Sequence, residues 1–193
     1  PGFENGLVSG LRLLHRGIDH QIMPDGGHFQ RNPSLHLTVL RHLVDIRGCL
    51  EAARVEVPVD LQGAIDRMAP MLRSFRHGDG RLALFNDGNE EDESAIDMVL
   101  TQAGAKGRPI SSAPHTGFQR LAAGKTLILM DTGAPVGVGD GRIHAEALSL
   151  EMSIGKDRLV VNCGAEADTD TEWHRALRTT AAQRNPGAST GLA

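Results

Sequence analysis

The sequence has 193 residues, of which 40% are hydrophobic and 23% are charged. These proportions are those of one ordinary globular domain or two small ones, and they exclude disorder of the whole chain. No apolar run approaches the roughly 18–20 residues that a membrane-spanning helix needs, so we expect no membrane span. The net charge of −4 gives no indication of nucleic-acid binding, because proteins that bind nucleic acid usually carry a strongly basic face.

The start of the chain and its cysteines say little about location. The chain begins at Pro1 and shows no signal-peptide pattern, so we expect a processed or truncated start. Cys49 and Cys163 lie far apart in the sequence. Buried free thiols are therefore the interpretation we prefer to a disulfide.

Three helices are predicted in the first part of the chain. Asn32 can cap the second helix while Pro33 takes its first position. The third is expected to begin after Pro58, with Asp60 as a possible cap, and Pro70 should kink or break it. Short connections favour antiparallel helical hairpins. In each helix, apolar residues recur mostly every three or four positions and so share one face. They are Leu7, Leu11, Leu14, Ile18 and Ile22 in the first helix, Val39, Leu40, Leu43, Val44 and Leu50 in the second, and Leu61, Ile65, Met68, Leu72 and Phe75 in the third.

From residue 79 onward the apolar pattern has a period of two, which predicts antiparallel strands. Strands are expected over residues 81–85, 126–130, 148–154 and 159–161, with a turn at 155–157. In the third of these, apolar and polar residues alternate strictly, which is typical of a strand whose apolar side is buried. The sequence therefore predicts an α+β chain, helical over residues 1–78 and an antiparallel β-sheet over 79–182. Arg76 and His77 are expected to shape the junction.

Two further stretches are predicted to lack regular structure. Residues 86–97 contain six acids and no base, so an acidic, solvated loop is expected there. Without those six acids the remainder is slightly basic, which is compatible with a cleft for an anionic ligand. Residues 183–193 have no apolar period, and we expect a disordered tail.

Several familiar motifs are incomplete. Gly124-Lys125-Thr126 resembles the end of a P-loop, but Gln119 occupies the position of its first glycine. The glycines between residues 137 and 141 lack the strand–turn–helix context of a dinucleotide site. The His144-Ala145-Glu146 motif lacks the paired cysteines of a zinc deaminase, and the scattered histidines form no closed zinc-ligand set. We therefore expect no cofactor and no metal.

Five stretches, in this order, resemble bacterial heparinase II/III-like proteins. They are DGGHFQRNPSLH from Asp25, PMLRSFRHGDGRLALFN from Pro70, HTGFQRLAAGKTLILMDTGAP from His115, RIHAEALSLEMSIGKDRLVVNCG from Arg142, and WHRALRTTAA from Trp173. The resemblance covers roughly residues 20–182. It implies the end of an α/α toroid followed by the start of a β-sandwich, so both halves would be incomplete.

The resemblance also implies a function. The family members are polysaccharide lyases, which cleave uronate-containing acidic polysaccharides by β-elimination, and a periplasmic or cell-envelope location is expected from the family. A lyase must neutralise the uronate carboxylate, take the weakly acidic proton beside it, and protonate the leaving oxygen. The alternative is a non-catalytic carbohydrate-binding or cell-envelope protein on the same architecture.

Five residues are candidates for the site that the resemblance implies. His144 opens a predicted strand where the family carries a functional histidine, and it is the preferred catalytic candidate. Asn32 could pair with a carboxylate, although a helix cap explains it equally well. His28 could act beside it, since loop residues often carry function. Arg31 and His36 are substrate-binding candidates, although His28 and Arg31 could equally be solvated and His36 simply exposed.

Three departures from the family weaken the enzyme interpretation. The sequence contains no tyrosine, although tyrosine is the catalytic acid or base in well-studied members, in the segment where this chain has Ser34-Leu35-His36. Arg142 stands where relatives often have a second histidine, and Gln183 replaces another. Metal-binding relatives have an aspartate near the position of Asn162, so a metal is doubtful.

Overall fold

The computed structural model describes residues 2–133 and 149–162. Within them, four helices precede five strands. The helices are α1 (Gly2–Gln21), α2 (Pro33–Ala52), α3 (Val59–Ser74) and α4 (Glu93–Ala103). The strands are β1 (Ser112–Ala113), β2 (Phe118–Ala123), β3 (Thr126–Asp131), β4 (Leu150–Ile154) and β5 (Asp157–Val160). The expectation of a helical part followed by an antiparallel sheet is thus confirmed.

The helices begin and end at residues suited to those positions. Asn32 caps α2 by accepting from the Leu35 N–H at 2.8 Å, and Pro33 takes the first turn. Asp92 caps α4, which ends at Gly104 in the left-handed conformation that glycine adopts without steric cost. The break expected at Pro70 is wrong, since α3 continues to Ser74. Asp60 also fails as a cap, because α3 begins one residue before it.

The sheet is a meander in the order β1-β2-β3-β4-β5, with each pair of neighbours antiparallel. Two tight hairpins join its longer strands, and each turns through a Gly-Lys pair. Gly124 and Gly155 have positive φ at these turns. The Gly155 N–H donates to the Lys125 carbonyl at 2.8 Å, so the two hairpin ends are held side by side.

One hydrophobic core joins the helices to the sheet. Its centre is a group of three phenylalanines from separate segments. Phe75 follows α3 and its ring meets Phe118 of β2 edge-on, with 4.9 Å between ring centroids. Phe85, in the connection after α3, lies 5.3 Å from the same Phe118 ring. Because all three side chains are buried, the helical part and the sheet fold as one body.

The segment between α3 and β1 differs from the prediction. Residues 81–85 form no strand, and only Leu82 makes an isolated bridge, with Arg76. The predicted acidic loop ends at Asp92, where α4 begins. Of the six acids, Glu93 and Asp97 lie on the exposed side of α4, while Ile96, Val99 and Leu100 are buried. The predicted β part therefore opens with a helix, because an apolar face is present among the acids.

Strand β4 is confirmed, but its buried face is the reverse of the predicted one. Glu151 and Ser153 are fully buried against the helical part, while Leu150 and Ile154 on the other face are exposed. The polar side chains point inward because they bond to groups that arrive from the helical part. Strands β3 and β5 agree with the prediction, whereas β1 and β2 were not predicted.

Some of the remaining expectations concern residues that the structure describes, and others concern residues that it does not describe. Cys49 is exposed, so the expectation of a buried thiol is wrong for it. Cys163, the predicted tail at 183–193, and His144 lie outside the described residues. None of the described helices combines the length and apolar character required to cross a membrane.

Candidate functional site

Four of the five candidate site residues lie in the loop between α1 and α2 or in the first turn of α2. This loop, residues 22–32, doubles back on itself, since Ile22 and His28 form an antiparallel bridge. The structure brings His28, Arg31, Asn32 and His36 into one region beside β3. His144 lies outside the described residues.

Asn32 uses both ends of its amide group inside the protein. Its Oδ1 accepts from the Leu35 N–H, and its Nδ2 donates to the Asn86 carbonyl at 2.8 Å. The cap interpretation is therefore confirmed. These two bonds fix the orientation of the amide group inside the fold and use its oxygen and one of its two N–H donors.

Arg31 is 7% exposed and forms a buried ion pair with Asp131 at the end of β3. Asn86 completes the group, because its Nδ2 donates to the Arg31 carbonyl at 3.0 Å and to Asp131 Oδ2 at 3.1 Å. The Arg31 guanidinium also lies 5.8 Å from the centroid of the Phe118 ring. Asp131 is fully buried. The alternative of a solvated Arg31 is therefore wrong, whereas its substrate-binding role stays a prediction.

His28 is also buried, at 3% exposure, and not solvated. Its Nδ1 accepts from the Gln30 N–H at 3.3 Å, which leaves Nε2–H to donate to Gln21 Oε1 at the same distance. Burial lowers the pKa of His28 to about 4. The ring is therefore neutral at pH 7.

His36 is a core histidine, 1% exposed, and not a surface residue. Its Nε2–H donates to the Met68 carbonyl of α3 at 3.0 Å, and its ring packs edge-on against Phe75. Burial lowers the pKa of His36 to about 4, against the smaller opposing effect of the bond to Met68. The ring joins α2 to α3 and does not reach solvent.

Asp25 is a residue of this region that the sequence did not reveal. Its carboxylate accepts from the backbone N–H groups of His115 and Thr116, each at 2.8 Å, and from the Thr116 hydroxyl. Burial acts to raise the pKa of Asp25, but these hydrogen bonds and one from Gly27 outweigh it, so the pKa lies below its ordinary value. Asp25 thereby fastens the α1–α2 loop to the turn before β2.

A second buried polar group lies where the helical part meets β4. His77 Nε2 donates to Glu151 Oε2 at 2.8 Å, and its Nδ1 lies 2.9 Å from Ser153 Oγ. Glu151 Oε1 accepts from the backbone N–H groups of Leu84 at 2.8 Å and Asn162 at 3.1 Å. The serine, histidine and carboxylate resemble a catalytic triad, but all three are buried, so no substrate reaches them. The predicted junction role of His77 is confirmed.

Arg76 shares this junction role at the surface. Its Nε donates to the Gly80 carbonyl at 2.7 Å, and its Nη1 bonds to Asp97 of α4 at 2.7 Å. Asp79 is bound by the fork of Arg158 at 2.8 and 3.2 Å. Burial acts to raise the pKa of Asp79, but the bond from Arg158, the bond from the Arg81 N–H and the nearby positive charge together outweigh it, so the pKa is lowered.

No group of three histidine, cysteine or acidic side chains within residues 2–133 and 149–162 is placed to hold a metal ion. Asn162, which stands where metal-binding relatives have an aspartate, donates from Nδ2 to Glu151 Oε1 at 3.2 Å. The described geometry therefore consists of buried polar groups that connect segments.

The order of elements defines the class: helical hairpins packed on an antiparallel meander, an arrangement consistent with part of an α/α toroid joined to a β-sheet. The sequence comparisons give the family. Residues 5–106 match the heparinase II/III N-terminus model, and residues 105–183 match the heparinase II/III-like C-terminal model. The chain belongs to the heparinase II/III-like family.

Individual relatives agree with this assignment. FtsZ-localized protein C of Caulobacter vibrioides is 32% identical over 165 residues, which are 85% of this chain and 28% of that protein. Heparan sulfate lyase HepC from Pedobacter heparinus superposes with a TM-score of 0.70 at 18% identity, over 90% of this chain and 31% of its own. A heparinase III structure superposes with a TM-score of 0.70 at 13% identity, over 91% of this chain and 34% of its own. At these identities the structures establish the fold alone, and the chain spans about a third of their length.

Proposed function

We propose that the protein is a non-catalytic member of the heparinase II/III-like family that binds acidic polysaccharide in the cell envelope. The observation that carries this proposal is the engagement of all four described site candidates. Arg31 is paired with Asp131, Asn32 caps α2, and the rings of His28 and His36 are buried. Each of these side chains is bonded or packed inside the fold. To take part in β-elimination it would have to leave those contacts.

The cost of such an interruption can be bounded. If Arg31 turned toward a substrate carboxylate, it would leave the fully buried Asp131 without this cation. Breaking a buried ion pair by removing one partner typically costs about 3–5 kcal/mol. In a catalytic site this cost would add to the barrier of the reaction. A binding protein can keep the Arg31–Asp131 pair intact.

Two further observations support a non-catalytic role. The sequence has no tyrosine to serve as acid or base. The relative that is 32% identical has a name that refers to localisation with FtsZ and not to a reaction.

The family models favour a second candidate, a polysaccharide lyase acting on uronate-containing chains. In that reaction a base removes the proton beside the carboxylate, a carbon–carbon double bond forms, and the leaving oxygen takes a proton from an acid. Asn32 or Arg31 would neutralise the carboxylate, with His36 as a further contact to the substrate. His144 and His28 would carry the protons. This candidate requires the α1–α2 loop to rearrange, because His28 is buried as described.

The two candidates are separated by one pair of measurements on the full-length protein that carries this sequence. Absorbance of unsaturated uronate is followed on a panel of acidic polysaccharides, and binding to the same panel is measured by calorimetry. The proposal expects binding to at least one polysaccharide without product. Product that disappears in a His144→Ala variant would establish the lyase instead, and absence of any binding would refute the proposal.

A further inference from the structure

The face of the sheet that points away from the helical part is apolar. Residues directly opposite one another in antiparallel strands share a face, and the register places one apolar residue from each of β2, β3, β4 and β5 in a single row. Two more apolar residues of β4 lie on this face, since they flank the row at a spacing of two. We call these six residues the outer face: Leu121, Ile128, Leu150, Met152, Ile154 and Val160.

The outer face is exposed in the described part of the chain. Four of its six side chains are between 41% and 56% exposed, whereas the neighbouring Glu151 and Ser153, which point to the other side of β4, are fully buried. In the described sheet, β5 is also an edge strand. A contiguous apolar surface beside an open strand edge promotes association with other chains when it is left bare. The outer face therefore requires a cover.

The two hairpin turns add positive charge at one end of the outer face. Lys125 and Lys156 lie side by side there, because the Gly155 N–H donates to the Lys125 carbonyl, and both lysines are exposed. Neither lysine forms an ion pair with another described residue. Asp157 offsets part of this charge and leaves the turns with a net positive charge. A fitting cover combines apolar side chains with acids near the turns.

The segment that follows Asn162 has both properties in its sequence, although it lies outside the described residues. Trp173 and Leu177 are four residues apart, a spacing that places two side chains on one face of either a helix or a strand. The family model that matches β1 to β5 continues through this segment to residue 183. Residues 163–172 contain no base and four acids: Glu166, Asp168, Asp170 and Glu172.

The segment is also tethered within reach of the outer face. Asn162 is fixed at the end of β5, because its N–H and its Nδ2 donate to Glu151 Oε1 at 3.1 and 3.2 Å. The chain from Asn162 to Trp173 can extend over about 36 Å, whereas four strands are about 15 Å wide. A short tether gives an effective concentration on the order of millimolar. This favours the protein's own segment over a second molecule as the cover.

We propose that residues 166–177 dock on the outer face of the same molecule, with Trp173 and Leu177 against its apolar row. The acids of the segment lie beside Lys125 and Lys156. The docked segment withdraws the apolar face from association with other molecules. This inference goes beyond the proposed function and does not depend on polysaccharide binding.

Trp173 is the only tryptophan among the 193 residues, so its fluorescence reports on the proposed contact. The full-length protein is measured with and without Trp173→Phe, and the difference spectrum then belongs to this side chain alone. We expect blue-shifted emission and roughly threefold less quenching by acrylamide than for a free tryptophan derivative, because a docked indole is removed from water. Emission and quenching equal to those of the free derivative would overturn the proposal.

Two adjacent positions of β2 give a matched pair of variants. Leu121→Asp places a carboxylate in the outer face, whereas Ala122→Asp places the same group on the opposite side of the strand, where Ala122 is also exposed. We expect Leu121→Asp to shift the Trp173 emission to the red and to raise its quenching, and Ala122→Asp to leave both unchanged. Equal shifts in the two variants, or none in either, would mean that Trp173 does not lie on this face.

A second pair of variants tests the charges and leaves the apolar residues intact. Lys125→Glu/Lys156→Glu reverses the charge at the two turns, and Lys106→Glu/Arg108→Glu makes the same change in the connection between α4 and β1, where both residues are exposed. We expect a red shift of the Trp173 emission in the first variant alone, because exposed charges act locally. The same response in both, or in neither, would overturn the placement of the acids beside the turns.

Dilution separates docking within one molecule from docking between two. Binding of a tethered segment does not depend on protein concentration, so we expect the same Trp173 spectrum in dilute and in concentrated solution. Loss of the blue shift on dilution would identify a second molecule as the source of the cover and would overturn the proposal.

Discussion

Asp131, at the end of β3, is a buried carboxylate with partners from several segments. It is fully buried, 100 residues in sequence from its cation Arg31, and it also accepts from Asn86 and from the Gly133 N–H at 3.0 Å. A carboxylate in such a place is tolerated only because each oxygen has donors. The pair fixes the α1–α2 loop against the end of β3, which explains why the loop residues are unavailable to a substrate.

Removal of one partner of this pair is expected to destabilise the protein strongly. Arg31→Met leaves the Asp131 charge buried, so we expect a loss of about 3–5 kcal/mol in the free energy of unfolding. The Arg31→Met/Asp131→Leu double variant should lose clearly less than the sum of the two single losses, because no charge is then left alone. Urea denaturation of all four proteins measures this, and additive losses would contradict the pairing.

The buried histidines predict a pH dependence of stability. His28 and His36 have a pKa of about 4 in the folded protein, below the ordinary value of about 6.5. The unfolded chain therefore binds more protons between these values, and stability falls as the pH drops from about 6.5 toward 4. We expect each ring to account for about 2 kcal/mol of the loss between pH 7 and pH 5.

Matched variants isolate this effect. In His36→Gln the amide can still donate to the Met68 carbonyl, but it cannot be protonated, so the slope of stability against pH should become shallower. His42→Gln changes an exposed histidine and should leave the slope as it is. The carboxyl groups of Asp25 and Asp79, whose pKa values are lowered, lose their contribution only at lower pH. Parallel slopes in wild type and His36→Gln would contradict the buried neutral ring.

At the scale of secondary-structure elements, the sequence predicts what depends on local spacing. The three-and-four spacing gives α1, α2 and α3, and the Asn32-Pro33 pair gives the start of α2. Helix α4 was not predicted, because the acids of this stretch suggested a solvated loop. The buried Ile96 and Leu100 are too few among those acids to make the apolar face of a helix obvious. The face of β4 was reversed because Glu151 is buried by partners that lie far away in sequence.

Gly78 lies where two segments of the fold approach each other closely, so its substitution gives a specific prediction. A side-chain carbon at Gly78, just after α3, would overlap the carbonyl oxygen of Gly155 in the β4–β5 turn, whereas one at Gly10 in α1 would meet nothing within 4 Å. Gly78→Ala should therefore lower the melting temperature by several degrees. Gly10→Ala should raise the melting temperature slightly, because alanine inside a helix is more stable than glycine by about 0.5–1 kcal/mol. A neutral Gly78→Ala would mean that the turn is not packed against the end of α3.

The site itself was only partly predictable, and the reason is sequence distance. Asn32 as a cap follows from its neighbours, and His77 was placed at the junction by its position. In contrast, the partners of Arg31, His36 and Asp25 are at residues 131, 68 and 115–116. Whether a polar residue faces solvent or a buried partner is decided by such pairings, and no local pattern reports them.

At the scale of the whole molecule, Glu151 of β4 is a second buried carboxylate, after Asp131, that connects the helical part to the sheet. Glu151 accepts from His77, Leu84 and Asn162. Glu151→Gln removes its charge and weakens these bonds, so we expect a loss of about 1–3 kcal/mol in unfolding free energy. Amide hydrogen exchange at Leu84 and Asn162 should accelerate.

The control for this change is Glu51→Gln. Glu51 is exposed and lies 3.9 Å from Arg47, so its substitution should alter stability by less than about 0.5 kcal/mol. If both glutamates gave the same small effect, Glu151 would not hold the two parts together. A large effect at Glu151 alone would agree with a single cooperative unit built from helices and sheet.

The central claim is that the candidate residues of the α1–α2 loop hold the fold together and perform no chemistry. The most direct measurement is the absorbance of unsaturated uronate during incubation of the full-length protein and its Asn32→Ser variant with acidic polysaccharides. Serine can cap α2 as asparagine does, but it has no amide to present to a carboxylate. We expect no product from either protein. Product formed by the wild type and lost in Asn32→Ser, with the fold intact, would contradict it.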